Sequence, residues 1–273
     1  MLVSDLKQLL AKYDIRPDKS KGQHFLLDET VVEDMLDAAH VTTADTVIEI
    51  GPGPGVLTSA LAQRAGQVLA YELDGQLADL IESQRVENVE VIRGDVMEQP
   101  LPRRGTALPY KVVANIPYSI SGALIRKLLT SLPAPQSVTL LVQREVAERM
   151  CAKPGQMSIL TVATQLHGQA RIVRLVPADA FYPAPKVDSA VVHVDVSDRE
   201  GSLTLDVDEK AFMRLVKIGF SQKRKQLKNT LAAGLHISPT EALVLLKKAG
   251  LADTVRAQEL SLEQWQSLLK ATS

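Results

Sequence analysis

The 273-residue chain is poor in cysteine, with Cys151 as its only one. One thiol cannot form an internal disulfide, and such sparse use is typical of the reducing cytoplasm. We interpret Cys151 as a thiol without a catalytic role rather than as a nucleophile. The five histidines show no spacing that suits a metal ion, so the sequence predicts no metal site.

The sequence also lacks a long apolar run. No stretch approaches the ~20 apolar residues that a membrane-spanning helix needs, and the first residues do not combine a basic segment with an apolar one, as a secretion signal would. Apolar residues still make up 45% of the chain, as in an ordinary protein with a buried core. We therefore expect a protein that does not associate with membranes. The sparse cysteine favours the cytoplasm, and we expect a monomer.

Charge is nearly balanced along the whole chain but unevenly distributed. The net charge of −1 does not by itself suggest a nucleic-acid partner. Residues 201–273, however, contain 11 Lys/Arg against 7 Asp/Glu, and 214–228 contain six basic residues and no acidic one. A basic patch of this kind can contact phosphates even on a near-neutral protein.

The most informative stretch joins a strand pattern, a glycine cluster and a helix pattern. Residues 46–50 are mostly β-branched, Gly51, Gly53 and Gly55 follow, and a helix pattern begins at Val56. This arrangement lets backbone N–H groups and a helix N-terminus approach a nucleotide-like ligand. An ordinary strand-to-helix turn is the alternative.

Glu72 makes a nucleotide-like ligand the better interpretation. It ends a second apolar run about twenty residues later, where a carboxylate can accept hydrogen bonds from ribose hydroxyls. Dinucleotide-binding folds prefer a third glycine at the position of Val56, and Glu49 adds a negative charge that would repel a pyrophosphate. We therefore favour S-adenosylmethionine, whose sulfonium is cationic, over NAD.

Strand and helix patterns alternate from residue 46 onwards. Strands are predicted at 46–50, 67–72, 89–93, 111–115, 137–143, 170–176 and 190–196, and helices near 56–64, 74–84, 119–131, 144–151 and 156–167. Alternation of this kind predicts an α/β fold with a mainly parallel, Rossmann-like sheet. The last strand follows its predecessor without a helix, which favours antiparallel pairing.

We predict three parts in the chain. Residues 1–20 form a flexible arm, 21–198 a catalytic domain that binds S-adenosylmethionine, and 205–273 a small all-helical domain. The helical domain is predicted from apolar residues at helical spacing. Its basic face is our RNA-binding candidate, formed by Lys223, Arg224, Lys225 and Lys228. The alternative is an ordinary solvated helix face.

Several polar or flexible residues end predicted strands on the same side of the sheet. Gly51, Glu72, Asp95 and Asn115 all fall at or just past the carboxyl end of a strand, where ligands bind in sheets of this type. We predict that the Asp95 carboxylate accepts a hydrogen bond from the adenine amine of the cofactor. The alternative is a turn-capping aspartate.

The segment Asn115-Ile116-Pro117-Tyr118 suits methyl transfer to an exocyclic adenine nitrogen. The lone pair of that nitrogen is delocalised into the ring. Acceptors aimed at its two N–H bonds, namely the Asn115 side-chain oxygen and the Ile116 carbonyl, can localise the lone pair. The Tyr118 ring offers a surface on which the base can stack. The alternative is an Asn-x-Pro turn with one buried tyrosine.

Two prolines stiffen the segment that begins at Phe181. Phe181 or Tyr182 would then hold an extruded base from the side opposite Tyr118. The alternative is a proline-rich entry to an edge strand, with the aromatic ring in the core.

Together these motifs resemble the rRNA adenine dimethyltransferases. The resemblance runs from about Lys21 to the end of the chain and rests on Gly22-Gln23-His24-Phe25-Leu26, Glu49-Ile50-Gly51-Pro52-Gly53, Glu72-Leu73-Asp74, Asn115-Ile116-Pro117-Tyr118 and Phe181-Tyr182-Pro183-Ala184-Pro185-Lys186-Val187-Asp188-Ser189. The segment 220–231 is more similar to the KsgA/RsmA branch, which acts on small-subunit rRNA, than to the Erm branch.

The resemblance implies dimethylation of two adjacent adenines near the 3′ end of 16S rRNA in an assembling small subunit. Implied cofactor contacts lie at His24, Leu26, Gly51, Gly53, Glu72, Asp95 and Asn115, and the implied target-base site contains Asn115, Tyr118 and Phe181. Many members have asparagine at the position of His24. Three alternatives remain open: an Erm-type enzyme, a noncatalytic nucleic-acid-binding relative and an NAD oxidoreductase.

Overall fold

Two groups of residues, each with its own buried core, make up the computed structural model. It describes residues 2–18, 22–103, 105–196, 208–222 and 224–272. The first unit contains the described parts of Met1–Ala147 and Ala170–Ser197, and the second those of Glu148–Gln169 and Asp198–Ser273. Within these ranges, no helix combines the length and the apolar character needed to cross a membrane.

A seven-stranded sheet forms the centre of the first unit. Its strands are β2 (Thr46–Ile50), β3 (Gln67–Glu72), β4 (Val89–Arg93), β5 (Tyr110–Asn115), β6 (Ser137–Gln143), β7 (Gln169–Val176) and β9 (Ser189–Asp195). The spatial order is β4-β3-β2-β5-β6-β9-β7. Strands β4, β3, β2, β5 and β6 run parallel, and β9 is antiparallel to β6. The predicted mainly parallel sheet with an antiparallel last strand is confirmed.

The strand order places a topological switch point between β2 and β5. From β2 the chain continues to β3 and β4 on one side, whereas β5 and β6 lie on the other side. The helices of this unit are α1 (Val3–Lys12), α2 (Glu29–Ala38), α3 (Val56–Arg64), α4 (Gly75–Ser83) and α5 (Ser121–Thr130), whereas α6 (Arg144–Met150) begins in the first unit and ends in the second. Ligands of such sheets bind outside the carboxyl ends of the strands at this point.

The N-terminal segment differs from the flexible arm that the sequence predicts. Residues 3–12 form α1, and Leu6 and Leu10 are buried in one apolar cluster with Phe25, Leu77 and Leu80. Burying leucine side chains stabilises the docked helix by roughly 1.5–3 kcal/mol each. In the sequence, Leu6, Leu9 and Leu10 have the spacing of one amphipathic turn, but the surface that covers it comes from distant residues.

Among the described residues of the second unit, five α-helices lie entirely within it. They are α7 (Ile159–His167), α8 (Glu209–Gly219), α9 (Leu227–Leu235), α10 (Pro239–Lys248) and α11 (Leu262–Thr272). Helix α7 was predicted as part of the catalytic domain, but Met157 and Val162 are buried in the same core as Phe212 and Trp265. The stretch between the two predicted domains, residues 199–204, lies outside the described residues.

Gly219 should be essential for the packing of this second core. A Cβ atom at Gly219 would collide with Cη2 of Trp265 and lie 3.0 Å from Leu227. We therefore expect Gly219→Ala to lower the free energy of unfolding by about 1–3 kcal/mol, as overpacked cores do. Urea unfolding followed by tryptophan fluorescence measures this unit, because Trp265 is the only tryptophan of the chain.

Gly122→Ala controls for the glycine-to-alanine change itself and is followed by circular dichroism, because α5 belongs to the first unit and Trp265 to the second. Gly122 lies in α5, and a Cβ there would meet no atom within 4 Å. Alanine is the better helix former by about 1 kcal/mol, so the control should be neutral or slightly stabilising. A Gly219→Ala protein as stable as wild type would contradict the packing argument.

Candidate functional site

One pocket at the carboxyl ends of β2, β3 and β5 brings together most of the predicted site residues. Its lining includes His24, Leu26, Gly51, Gly53, Glu72, Asn115 and Tyr118. The residues come from four separate parts of the chain, and the sheet topology places them side by side. The pocket therefore lies at the switch point of the sheet.

The glycine turn between β2 and α3 forms one wall of the pocket. Gly51, Gly53 and Gly55 have φ values of +67°, +58° and +90°, a region in which side chains cause strain. A Cβ at Gly53 would also lie 3.1 Å from the Phe25 ring. The turn thus requires glycine for its backbone conformation. At Gly53 it also requires glycine because the Phe25 ring lies close to the backbone.

Glu72 is held by backbone N–H groups at the end of β3. Its Oε2 accepts from the Gly53 N–H (3.1 Å), and its Oε1 accepts from the Asp74 N–H (2.8 Å). Burial raises the pKa of Glu72, while these hydrogen bonds act in the opposite direction. A carboxylate offers about four acceptor positions, so Glu72 can still accept hydrogen bonds from a ligand.

Glu49 is a buried carboxyl group in the same lining. Its side chain lies on β2, is 1% exposed, and its Oε2 has no hydrogen-bond partner among the described residues. Burial raises the pKa of Glu49 to about 8, and the negative charge of Glu72 acts in the same direction. Glu49 is therefore mainly neutral near pH 7, which corrects the negative charge that we assigned to it from the sequence.

A chain of contacts fixes Asn115 and Tyr118. Asn115 Nδ2 donates to the His24 carbonyl (3.1 Å), and His24 Nδ1 donates to the Pro183 carbonyl (2.6 Å). The His24 and Tyr118 rings stack with centroids 5.4 Å apart, and the Tyr118 hydroxyl bonds to that of Ser189 (2.6 Å). Since Nδ2 of Asn115 is engaged, its Oδ1 is the atom available as an acceptor.

Two predicted site residues do not line this pocket. Phe181 is 3% exposed and packs in the core with Leu26 and Val31, so its ring is not presented to a base. The aromatic ring lies in the core, as in the alternative interpretation, but the strand that follows, β9, lies between β6 and β7 and is not an edge strand. Asp95 Oδ1 accepts from the Met97 N–H (2.7 Å), which is a turn-capping role. The contact of Asp95 with adenine stays a prediction.

The pairing of β1 (Phe25–Leu26) with β8 (Phe181–Tyr182) positions the segment before α2 at the pocket. This pairing adds Phe25 to the lining. A two-residue strand has no periodicity, so no local pattern in the sequence indicated this pairing. The resemblance motif beginning at Gly22 was the signal that pointed to this segment.

The predicted RNA-binding residues belong to the second unit. Arg224 and Lys225 are exposed in the turn before α9, and Lys228 is half-buried in the first turn of α9. Lys223 lies outside the described residues. The described part of the chain contains no group of three or more His, Cys, Asp or Glu that could hold a metal ion.

The sequence is similar to known RNA methyltransferases. Residues 16–273 match the model of the ribosomal RNA adenine dimethylase family. The chain is 40% identical to ribosomal RNA small subunit methyltransferase A of Dehalococcoides mccartyi, with 98% of this chain and 92% of that protein covered. It is 41% identical to the protein of the same name from Paracoccus denitrificans, covering 97% and 94%.

Solved structures show the same similarity. A dimethyladenosine transferase from Plasmodium falciparum superposes with a TM-score of 0.75 at 26% identity, covering 90% of this chain and 96% of that one. The 23S rRNA methyltransferase ErmE superposes with a TM-score of 0.70 at 28% identity, covering 90% and 98%. With the glycine turn, Glu72 and Asn115 meeting in one pocket, the chain belongs to the ribosomal RNA adenine dimethylase family.

Proposed function

We propose that this protein transfers methyl groups from S-adenosylmethionine to N6 of two adjacent adenines near the 3′ end of 16S rRNA, dimethylating each. One observation supports this most strongly: Gly51, Glu72 and Asn115 line one pocket at the switch point. The relatives at 40–41% identity are named for the small subunit, which favours 16S over 23S rRNA. The substrate implies action in the cytoplasm.

The pocket has the groups that S-adenosylmethionine needs. Backbone atoms of the turn at Gly51 and Gly53 lie close to the cavity because no side chain shields them. Glu72 is oriented by its two backbone donors and would accept hydrogen bonds from the ribose hydroxyls. Leu26 and His24 complete the proposed cofactor site, and the cofactor supplies an electrophilic methyl group.

Hydrogen-bond acceptors, rather than a general base, would position the target adenine. The Asn115 Oδ1 and the Ile116 carbonyl would accept hydrogen bonds from the two N–H groups of the adenine amine and so localise the lone pair of its nitrogen. The proton can leave after the nitrogen has become cationic, so no strong base is required. The enzyme therefore contributes orientation and electrostatics.

Tyr118 is the proposed stacking surface for the adenine. Its hydroxyl is bound to Ser189 and its ring is stacked with His24, so the ring is fixed before the base arrives. Stacking of a base on such a ring is worth roughly 1–3 kcal/mol. Phe181 has no part in this proposal, because its ring is buried in the core.

The proposed partner is small-subunit rRNA within a pre-30S particle, bound by a monomer. Arg224, Lys225 and Lys228, with Lys223 from the sequence, would contact the RNA backbone. Base contacts carry sequence information, whereas Lys and Arg contacts to phosphates position the protein. The adenine pocket and this basic segment would therefore have separate roles.

Transfer of labelled methyl groups to ribosomal subunits tests the proposal. Purified 30S subunits that lack the modification should accept label, with a limit of two methyl groups on each of two adenines. Large-subunit RNA is the comparison, because the structural similarity to ErmE makes a 23S rRNA substrate the second candidate. Labelling of 23S rRNA alone, or of neither substrate, would contradict the proposal.

A further inference from the structure

Helix α8 presents a row of cations on its exposed side. Lys210, Arg214 and Lys217 are exposed, and their spacing of four and three residues places them on one helical face. The opposite face is buried in the core of the second unit through Phe212, Leu215 and Val216. The charges extend over about 10 Å of the helix axis, at 1.5 Å per residue.

These cations line a wide, open cavity at the surface. The cavity has a volume of about 370 Å³ and is lined by Lys210, Arg214, Lys217, Ile218, Ser221 and Gly234. Gly234 belongs to α9, and a Cβ at that position would collide with the Ile218 side chain. The two helices therefore approach closely at Gly234, beside the row of cations.

The acidic residues of α8 have other partners. Asp208 caps the helix by accepting from the Lys210 backbone N–H (2.9 Å), and Glu209 lies 3.3 Å from His167. Among the described residues, no ion pair joins an acidic side chain to Lys210, Arg214 or Lys217. The cavity is thus an electropositive site whose cations are available to a ligand.

We propose that this α8 face binds the phosphodiester backbone of RNA, as a second contact surface beside the predicted residues 223–228. Lys and Arg contacts to phosphates dominate affinity for nucleic acids, and a row of three cations suits a chain of phosphates better than a single one. The Ser221 hydroxyl donates to the Ile218 carbonyl (2.7 Å), so the cations must supply the donors. This inference rests on the proposed function.

The triple variant K210Q/R214Q/K217Q tests the inference in the full chain. Its matched control is K247Q/K248Q/K270Q, which removes three exposed cations from α10 and α11 of the same unit. Affinity for a 16S rRNA 3′ fragment would be measured over a range of monovalent salt. The α8 variant should bind at least tenfold more weakly, with a log–log salt slope reduced by about 2, since each phosphate contact contributes about 0.7–0.9.

The outcomes separate the inference from its alternatives. The control should keep a slope nearer to that of wild type, and an equal loss in both variants, or no loss in the α8 variant, would overturn the α8 site. If the α8 variant lost binding to poly-glutamate but kept its affinity for RNA, that result would overturn the inference in favour of an acidic protein partner. Methylation of 30S subunits by the wild-type protein is measured separately and tests the proposed function independently.

Folding of the α8 variant can be verified with Trp265, which is buried in this unit. An unchanged unfolding midpoint shows that a loss of RNA affinity comes from the removed charges. If the triple variant unfolds, K217Q alone should still lower the salt slope by about 0.7–0.9. A K217Q protein with the wild-type slope and affinity would overturn the inference.

Discussion

Asn115→Ala is expected to lower the methyl-transfer rate by about two to three orders of magnitude, the usual cost of removing one preorganised polar group from a transition state. The Asn115 Nδ2 is fixed on the His24 carbonyl, so the Oδ1 is held in place before substrate binds. Alanine removes the acceptor that would localise the lone pair of the adenine amine. Single-turnover kinetics with 30S subunits measures this loss.

The same variant should affect cofactor binding far less than turnover. The affinity for S-adenosylmethionine, measured by calorimetry, should fall by less than tenfold, because the glycine turn and Glu72 are unchanged. Asn229→Ala provides a control, since Asn229 is exposed on α9 and its removal should leave turnover intact. Near-normal turnover of Asn115→Ala, or a loss explained entirely by cofactor affinity, would contradict the assigned role.

The sequence predicted the central strands well because local signals bound them on both sides. β2 is a short, mostly β-branched run that ends at Gly51, and its predicted range of 46–50 is the observed one. The ranges of β3, β4 and β6 are likewise those predicted. Alternation with helices then determined the parallel sheet, and the site followed from the ends of the strands.

The sequence failed where burial depends on distant partners. The apolar stripe of α1 was visible, but the cluster that it joins contains Leu77 and Leu80, more than sixty residues away. Likewise, the amphipathic pattern of α7 cannot indicate which of two cores receives Val162. Phe181 is a third case in which a distant partner decides burial, because its pairing with Leu26 on β1 buries it.

The protonation of Glu49 was the main feature of the site that the sequence did not reveal. A glutamate beside a glycine turn suggested a fixed negative charge. Every residue of β2 is buried, however, and β2 lies between β3 and β5. A carboxyl group at the centre of a covered sheet loses its hydration, which favours the neutral form.

Glu49→Gln is expected to flatten the dependence of stability on pH in the ligand-free protein. The folded-state pKa of Glu49, about 8, lies above the ordinary value of 4.5. The folded protein therefore binds more protons than the unfolded chain between these values, and stability falls as pH rises from about 4.5 to 8. At about 1.4 kcal/mol per pKa unit, the full cost is on the order of 5 kcal/mol.

Scanning calorimetry from pH 5 to pH 9 measures this effect. The variant should unfold at a temperature similar to that of wild type near pH 5 and at a higher temperature near pH 8. A residual slope should remain, because the pKa of Glu72 is also raised and that residue is unchanged. Parallel pH profiles for the two proteins would show that Glu49 is not the group that titrates.

The same titration distinguishes a cationic ligand from a neutral one in this pocket. A sulfonium near Glu49 favours the ionised carboxylate, so binding would release a proton and the affinity for S-adenosylmethionine should rise between pH 6 and pH 8. S-adenosylhomocysteine has no charge on its sulfur and should show a weaker rise. In Glu49→Gln the difference between the two ligands should disappear, because glutamine does not titrate. Equal pH dependence of both ligands in the wild-type protein would place the sulfonium away from Glu49.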